Sequence, residues 1–321
     1  MARRGFAVFP VAAFVLALVA VPLPYYAESP GPAKDVEPRI HVAETQTFQS
    51  EGHFVLTSVT LVALTLPKLI SAWRDPSETV LPESAVLLPG ESQAQEQQRA
   101  ISDMDQSKID AAYVVLARLK GYPAHHGAGV LVEGVGGGCP ADGRLFPGDV
   151  IDRVNGRPTP DRRTLDRVLD AIAARAPLAI LVHAGGQSTT VHLVRRPCAG
   201  SRKPLIGIST VPNFPFPISI SSGDIGGPSA GLMWAIGLFD LLTPGDLTGG
   251  RTIAGTGTIA PDGSVGPIGG VENKVVAAKR AGAKAFLVPI ENLAAARSVG
   301  AGLPLVPVKT FADALAYLRG R

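Results

Sequence analysis

The sequence predicts an α+β protein whose folded regions follow one transmembrane helix. Three observations lead there. An uncharged apolar stretch lies near the amino end, turn-punctuated strands surround one helix in the middle, and two glycine-rich strings open into apolar helices near the carboxyl end. A chain of 321 residues can bury one large or two ordinary cores. Its 46% hydrophobic and 18% charged residues fit a folded protein. Net charge is +3, the basic residues are scattered and aromatic residues make up 6%, so no nucleic-acid surface is predicted.

The apolar stretch runs from Phe6 to Pro24, with Arg3 and Arg4 before it and Glu28, Asp35 and Glu37 after it. At about 1.5 Å per residue it just crosses a hydrocarbon layer of about 30 Å. The preceding arginines keep the start of the chain inside. Residues 1–27 are therefore read as a single-pass anchor in the cell membrane, with a cytoplasmic amino end and an extracytoplasmic globular region. Cleavage as a signal peptide after Ala27 would put Tyr25 where a small residue is preferred.

Residues 28–122 read as a linker, SPGPAKDVEP, then strands from about His41 to Ile70 and an apolar-periodic helix, DQSKIDAAYVVLARLKGYP, stopped by Gly121 and Pro123. The apolar run from Phe54 contains threonines, a proline and Lys68, and reads as a strand followed by a short core helix. From Gly129 the pattern becomes strand (GVLVEGV), turn, short strand (VIDRVN), helix (DRRTLDRVLDAIAARA) and a hairpin around Gly185-Gly186. The residues Gly129, Val130, Leu131 and Val132, Pro140-Ala141, and the run from Leu145 to Ile151 ending in Asn155-Gly156 resemble a PDZ domain of the bacterial protease-associated type. The resemblance assigns 123–197 to this domain. It implies that a peptide ligand adds as a strand beside Val130–Val132, in the groove before the helix starting near Arg162.

The last third, 198–321, carries SSGDIGGPSAGLMWAIGLFDLL and GTGTIAPDGSVGPIGGVENKVVAAKRAGAKAFLVP. In the first string, Ser229 sits on a tight turn entering a helix. Small neighbours allow close backbone approach, and first-turn N–H groups can meet a developing oxyanion. Those features suit a nucleophile, and they suit a simple helix cap as well. No phosphate-loop or dinucleotide string is present, so no cofactor is predicted, and no metal constellation emerges. None of the six histidines follows Ser229, which weakens a Ser-His-Asp arrangement without excluding it, and lysine is the other candidate base. Lys274 opens a helix lined by Val275, Val276, Ala277 and Ala278, surroundings that favour a neutral amine able to take a serine proton.

Both strings resemble the proteolytic domain of Lon proteases from about Ile208 to Tyr317. The resemblance refines the fold class to a Lon-type proteolytic domain combined with a PDZ domain. It implies a Ser-Lys dyad of Ser229 and Lys274, with Thr256 orienting the lysine and the backbone of Gly227 and Ser229 serving the oxyanion. The family's usual Asp three residues before the serine is Gly226 here, and whether Asp224 replaces it stays open. The order of anchor, PDZ module and proteolytic domain is similar to bacterial membrane-bound PDZ/Lon-like proteases. That similarity implies early strands completing the catalytic domain, polypeptide substrates, ATP-independent action and a homo-oligomer of unspecified number. A catalytically silent peptide-binding scaffold on the same fold is the alternative. Trp234 and Phe239 read as core, Glu291 and Asp313 as surface charge. Cys139 and Cys198 are open to either a disulfide or two free thiols.

Overall fold

The computed structural model describes residues 21–75, 77–198, 201–300 and 302–320. Residues 1–20, the bulk of the expected anchor, lie outside them. Among the described residues no helix is long and apolar enough to cross a membrane.

The chain enters the fold as a strand, β1 (Tyr25–Asp35), and continues through β2 (Ile40–Val42), β3 (His53–Ala63), helix α1 (Leu66–Ala72), β4 (Thr79–Pro82) and helix α2 (Gln93–Lys120). The expected linker is thus a sheet strand from its first residue. Its prolines are tolerated because β4 covers only Tyr25–Glu28, leaving one edge open beyond that point, and because pairing with β3 slips between Pro30 and Ala33. Helix α2 begins well before its apolar period does. A capping box of Ser92 and Gln95 starts it, and Gly121, at φ 67°, ends it in the left-handed region.

A second unit follows: β5 (Gly127–Val135), β6 (Val150–Val154), β7 (Arg157–Pro158), α3 (Arg162–Asp170), β8 (Pro177–Ala184), β9 (Gln187–Val194), the short pair β10 (Arg196–Pro197) and β11 (Pro204–Leu205), and β12 (Ile208–Asn213). Its sheet order is β12-β5-β6-β8-β9, with β7 beside β6. Val130, Val132, Ile151, Ile180, Val182 and Leu165 form its core. The unit therefore extends past the boundary read at residue 197. Strand β12 lacks a hydrophobic signature because it lies at the sheet edge, half-buried. Asn155-Gly156 and Gly185-Gly186 take positive φ and turn two hairpins as expected. Cys139 and Cys198 form a disulfide.

The remaining elements are β13 (Ile218–Ile220), α4 (Gly231–Leu242), β14 (Thr252–Gly255), β15 (Thr258–Ile259), β16 (Val265–Gly266), α5 (Val271–Arg280), β17 (Ala285–Pro289), α6 (Leu293–Ser298), β18 (Leu305–Val308) and α7 (Phe311–Arg319). Strands β14, β17 and β18 join the early strands in one mixed sheet, β18-β17-β14-β3-β1-β4, whose β3, β14, β17 and β18 run parallel, while β13 pairs with β2 and β15 with β16. The period-2 alternation of these strands sorts the core into two layers. Phe54, Leu56, Ile253 and Leu287 meet α2, α4 and α7. Val55, Ala254, Phe286 and Val288 meet α5 and α6. Helices on both faces of a largely parallel sheet make this half a mixed α/β arrangement, more layered than the α+β expectation. Trp234 and Phe239 are buried in it. Asp313 is exposed, as expected of surface charge, and also closes a capping box with Thr310 at the start of α7.

One carboxyl pair, half-buried Glu37 and buried Asp240, makes stability depend on pH. Glu37 sits against Asp240 of α4; burial, then the hydrogen bond and charge of Asp240, push Glu37 up to about 8. The folded state therefore holds a proton that the unfolded chain releases from about 4.5 upward, and stability falls as pH rises between those values. Glu37→Gln stays neutral. Urea unfolding should show the variant matching the parent at pH 4.5 and exceeding it at pH 8; equal slopes across that range would contradict the assignment.

Candidate active site

Three chain segments converge beyond the carboxyl end of β14. A 3-10 turn, Pro228–Ala230, leads into α4 and carries Ser229; Thr256 directly follows β14; Lys274 lies in the first turn of α5. Ser229 is half-buried, whereas Thr256 and Lys274 are 1% and 3% exposed. Lys274 Nζ donates to Ser229 Oγ at 2.8 Å and lies 3.4 Å from Thr256 Oγ1. Thr256 Oγ1 donates to the Ser229 carbonyl at 3.0 Å, and the Gly257 amide donates to the same oxygen at 2.8 Å. The turn is thus held from its carbonyl side, leaving its hydroxyl to the lysine.

Burial lowers the lysine from 10.5 to about 8, against an opposing pull from the Glu28 carboxylate. About a tenth of the amine is then neutral at pH 7, and in that form the hydrogen bond reverses, with the serine hydroxyl donating to the amine. Sequence reasoning brought Ser229, Thr256 and Lys274 together and missed Glu28. Its only trace in the sequence is a lone carboxylate in an otherwise apolar strand start, YYAE.

Two expectations need correction. The Gly227 amide, expected to face the oxyanion, instead donates to the Ala100 carbonyl of α2 at 2.7 Å. Ser107 of the same helix donates to the Pro228 carbonyl at 3.0 Å. Helix α2 therefore grips the serine turn at two points, and the Ser229 amide is the remaining donor of the predicted pair. The same helix accounts for Gly226: a Cβ there would lie 2.9 Å from Ala100 Cβ and 3.3 Å from its backbone. An aspartate would not fit. Asp224 is exposed and, among the described residues, bonds to none of Ser229, Thr256 or Lys274.

The second correction concerns the peptide edge. Gly129, Val130, Leu131 and Val132 lie in β5, which pairs with β12 on one side and β6 on the other. No added strand can lie beside them. The open edge belongs to β12, which runs next to α3, where Arg162 donates to Thr210 Oγ1 at 3.0 Å.

Comparison with known proteins agrees with the geometry in the carboxyl third. Residues 218–317 match the Lon protease (S16) C-terminal proteolytic domain. The match supports a Lon-type proteolytic domain in this segment. The match supports serine-protease activity, and the Lon-type segment contains all three converging residues. Part of the chain is similar to the PDZ domain of an SdrC-like protein from Listeria monocytogenes, at 20% identity, covering 26% of this chain and 87% of that one, with a TM-score of 0.24. The corresponding domain from Listeria innocua gives 22%, 26%, 92% and 0.24. No match was found among curated proteins.

The residue before the lysine helix is strictly constrained. Gly270 has φ 65°, and a Cβ there would lie 2.5 to 2.8 Å from the Glu28 carboxylate, itself pinned by Asn273. Gly270→Ala should lower stability by about 1–3 kcal/mol in urea titration; a loss under about 0.5 kcal/mol would show that the turn relaxes freely.

Proposed function

We propose that the protein is a serine endopeptidase in which neutral Lys274 takes the proton of Ser229. The observation that carries this reading is the 2.8 Å contact between a buried amine and a half-exposed hydroxyl. The serine oxygen attacks the peptide carbonyl, and the Ser229 amide meets the oxygen that becomes negative. Protonated Lys274 returns its proton to the leaving amine, and water resolves the acyl-enzyme with the lysine again as base. Thr256 holds the turn and the amine at one distance. Nothing in this scheme requires nucleotide, so flexible or partly unfolded polypeptides are the expected substrates.

The second unit is proposed to act as a PDZ-type peptide module, with the ligand moved from β5 to the open edge of β12. Binding there would bear on catalysis, because β12 runs on through β13 to the serine turn. The apolar stretch that begins at Phe6 is proposed as the membrane anchor that places the folded part outside the cytoplasm. The end of the 1–27 reading belongs to the fold instead, with the Leu23 amide donating to the Leu64 carbonyl and Tyr25–Ala27 in β1. Assembly into homo-oligomers follows the family resemblance. A second reading is favoured by a specific contact. With Gly227 tied to Ala100, the turn is held in a closed arrangement, and a module ligand would be needed to free that amide.

Hydrolysis of an unstructured peptide should rise with pH through about 8, because only the neutral lysine serves as base. At pH 7 about a tenth of it is neutral, so the rate at pH 9 should be about tenfold higher. Ser229→Ala and Lys274→Ala should each reduce turnover by roughly 10³-fold or more, and Thr256→Val by about 10- to 100-fold, with circular dichroism unchanged. Undiminished cleavage by Ser229→Ala would overturn the assignment.

A further inference from the structure

Glu28 is 8% exposed, near the start of β1, on the inner side of a strand flanked by β3 and β4. A buried carboxylate is costly unless bonded and charge-compensated. Both conditions are met at one place, the first turn of α5. Asn273 Nδ2 donates to Glu28 Oε1 at 2.8 Å and to the Glu28 carbonyl at 3.3 Å, and Asn273 is itself 5% exposed. Helix α5 has no side-chain cap of its own at Gly270. The Glu28 carboxylate lies over that uncapped, positive end, in the space a Cβ at Gly270 would fill. Asn273 and Lys274 are consecutive, so fixing one fixes the rotation of the helix turn that presents the other.

We propose that Glu28 is a positioning residue for the Ser229–Lys274 pair, setting the first turn of α5 through Asn273 and keeping a negative charge beside the lysine. This rests on the Ser-Lys reading above. The other charged or titratable groups on elements packed against α5 are Tyr25, Tyr26, Lys34 and Asp35 of β1, His53 of β3, Arg297 of α6, and Glu272, Lys279 and Arg280 of α5 itself. His53 faces Asp35 at 3.2 Å. Among the described residues, Glu28 is the charge that acts on Lys274, and it opposes the effect of burial. The sign follows. Removing the charge lets burial act alone, so the lysine loses its proton at lower pH.

The test measures two properties of the full chain in detergent: Lys274 titration by ¹³Cε-lysine NMR, and the pH profile of peptide hydrolysis. Glu28→Gln can still accept from Asn273. It should move both the titration and the acid limb about one pH unit lower, raising the rate below neutrality about tenfold relative to its own alkaline plateau. Glu28→Asp keeps the charge but withdraws it from Asn273; its titration should stay near the parent's while its plateau falls. An unchanged titration in Glu28→Gln overturns the proposal, as does an equal plateau loss in both variants without a shift. If Glu28→Gln does not fold, Asn273→Ala decides: the charge is kept and its hydrogen bond to the helix turn is lost, so the plateau should fall while the lysine titration stays near the parent's, as in Glu28→Asp, and an undiminished plateau overturns the proposal. Hydrolysis that survives Ser229→Ala would refute the dyad instead, leaving the NMR titration to judge Glu28 alone.

Discussion

Burying one amine is the constraint on which the carboxyl half of the structure depends. Lys274 loses nearly all contact with water, and its charged form is disfavoured enough to bring its proton affinity to about 8. The surroundings that achieve this are the apolar layer of Val55, Ala254, Val271, Val275 and Phe286, together with the small residues at the helix entrance. Close approach of α4, β14 and α5 then places a hydroxyl on each side of the amine. One belongs to Ser229 and the other to Thr256. Gly270 and Gly226 are needed for the same reason, since Glu28 and Ala100 occupy the volume their side chains would take.

The serine turn also joins the two halves of the molecule. Helix α2 delivers the chain into β5, the first strand of the second unit, and β12, its last, returns the chain toward Ser229. Between them α2 holds the turn through Ala100 and Ser107. The unit is therefore spliced between the clamp and the turn that it clamps. A displacement of β12 would reach Gly227 through a short connection. This arrangement connects the second unit to the serine turn through a short stretch of chain.

Much of this was legible in the sequence where a residue's role is set by its neighbours along the chain. The turn glycines at 156, 185 and 186, the stop at Gly121, and the strings around Ser229 and Lys274 are local features. What escaped was non-local. The strand character of SPGPAKD depends on pairing with β3 and on an open edge, neither of which a proline-rich string discloses. Strand β12 has no inward-facing run because it forms an edge, and nothing in the sequence shows that it occupies the side of β5 to which the PDZ resemblance assigns the peptide. The loss of the Gly227 amide to Ala100 joins residues more than a hundred positions apart. Glu28 and Asn273 lie 245 positions apart, and only the packing of α5 on the sheet brings them together.

The central claim is that Lys274 activates Ser229, and covalent labelling by a serine-reactive phosphonate addresses it most directly. The full chain would be labelled in detergent, with the adduct located by peptide mass spectrometry, alongside Lys274→Ala. Modification at Ser229 that is lost in the lysine variant is the predicted result. Equal labelling of Ser229 in both proteins would contradict the account, because the hydroxyl would then react without its base.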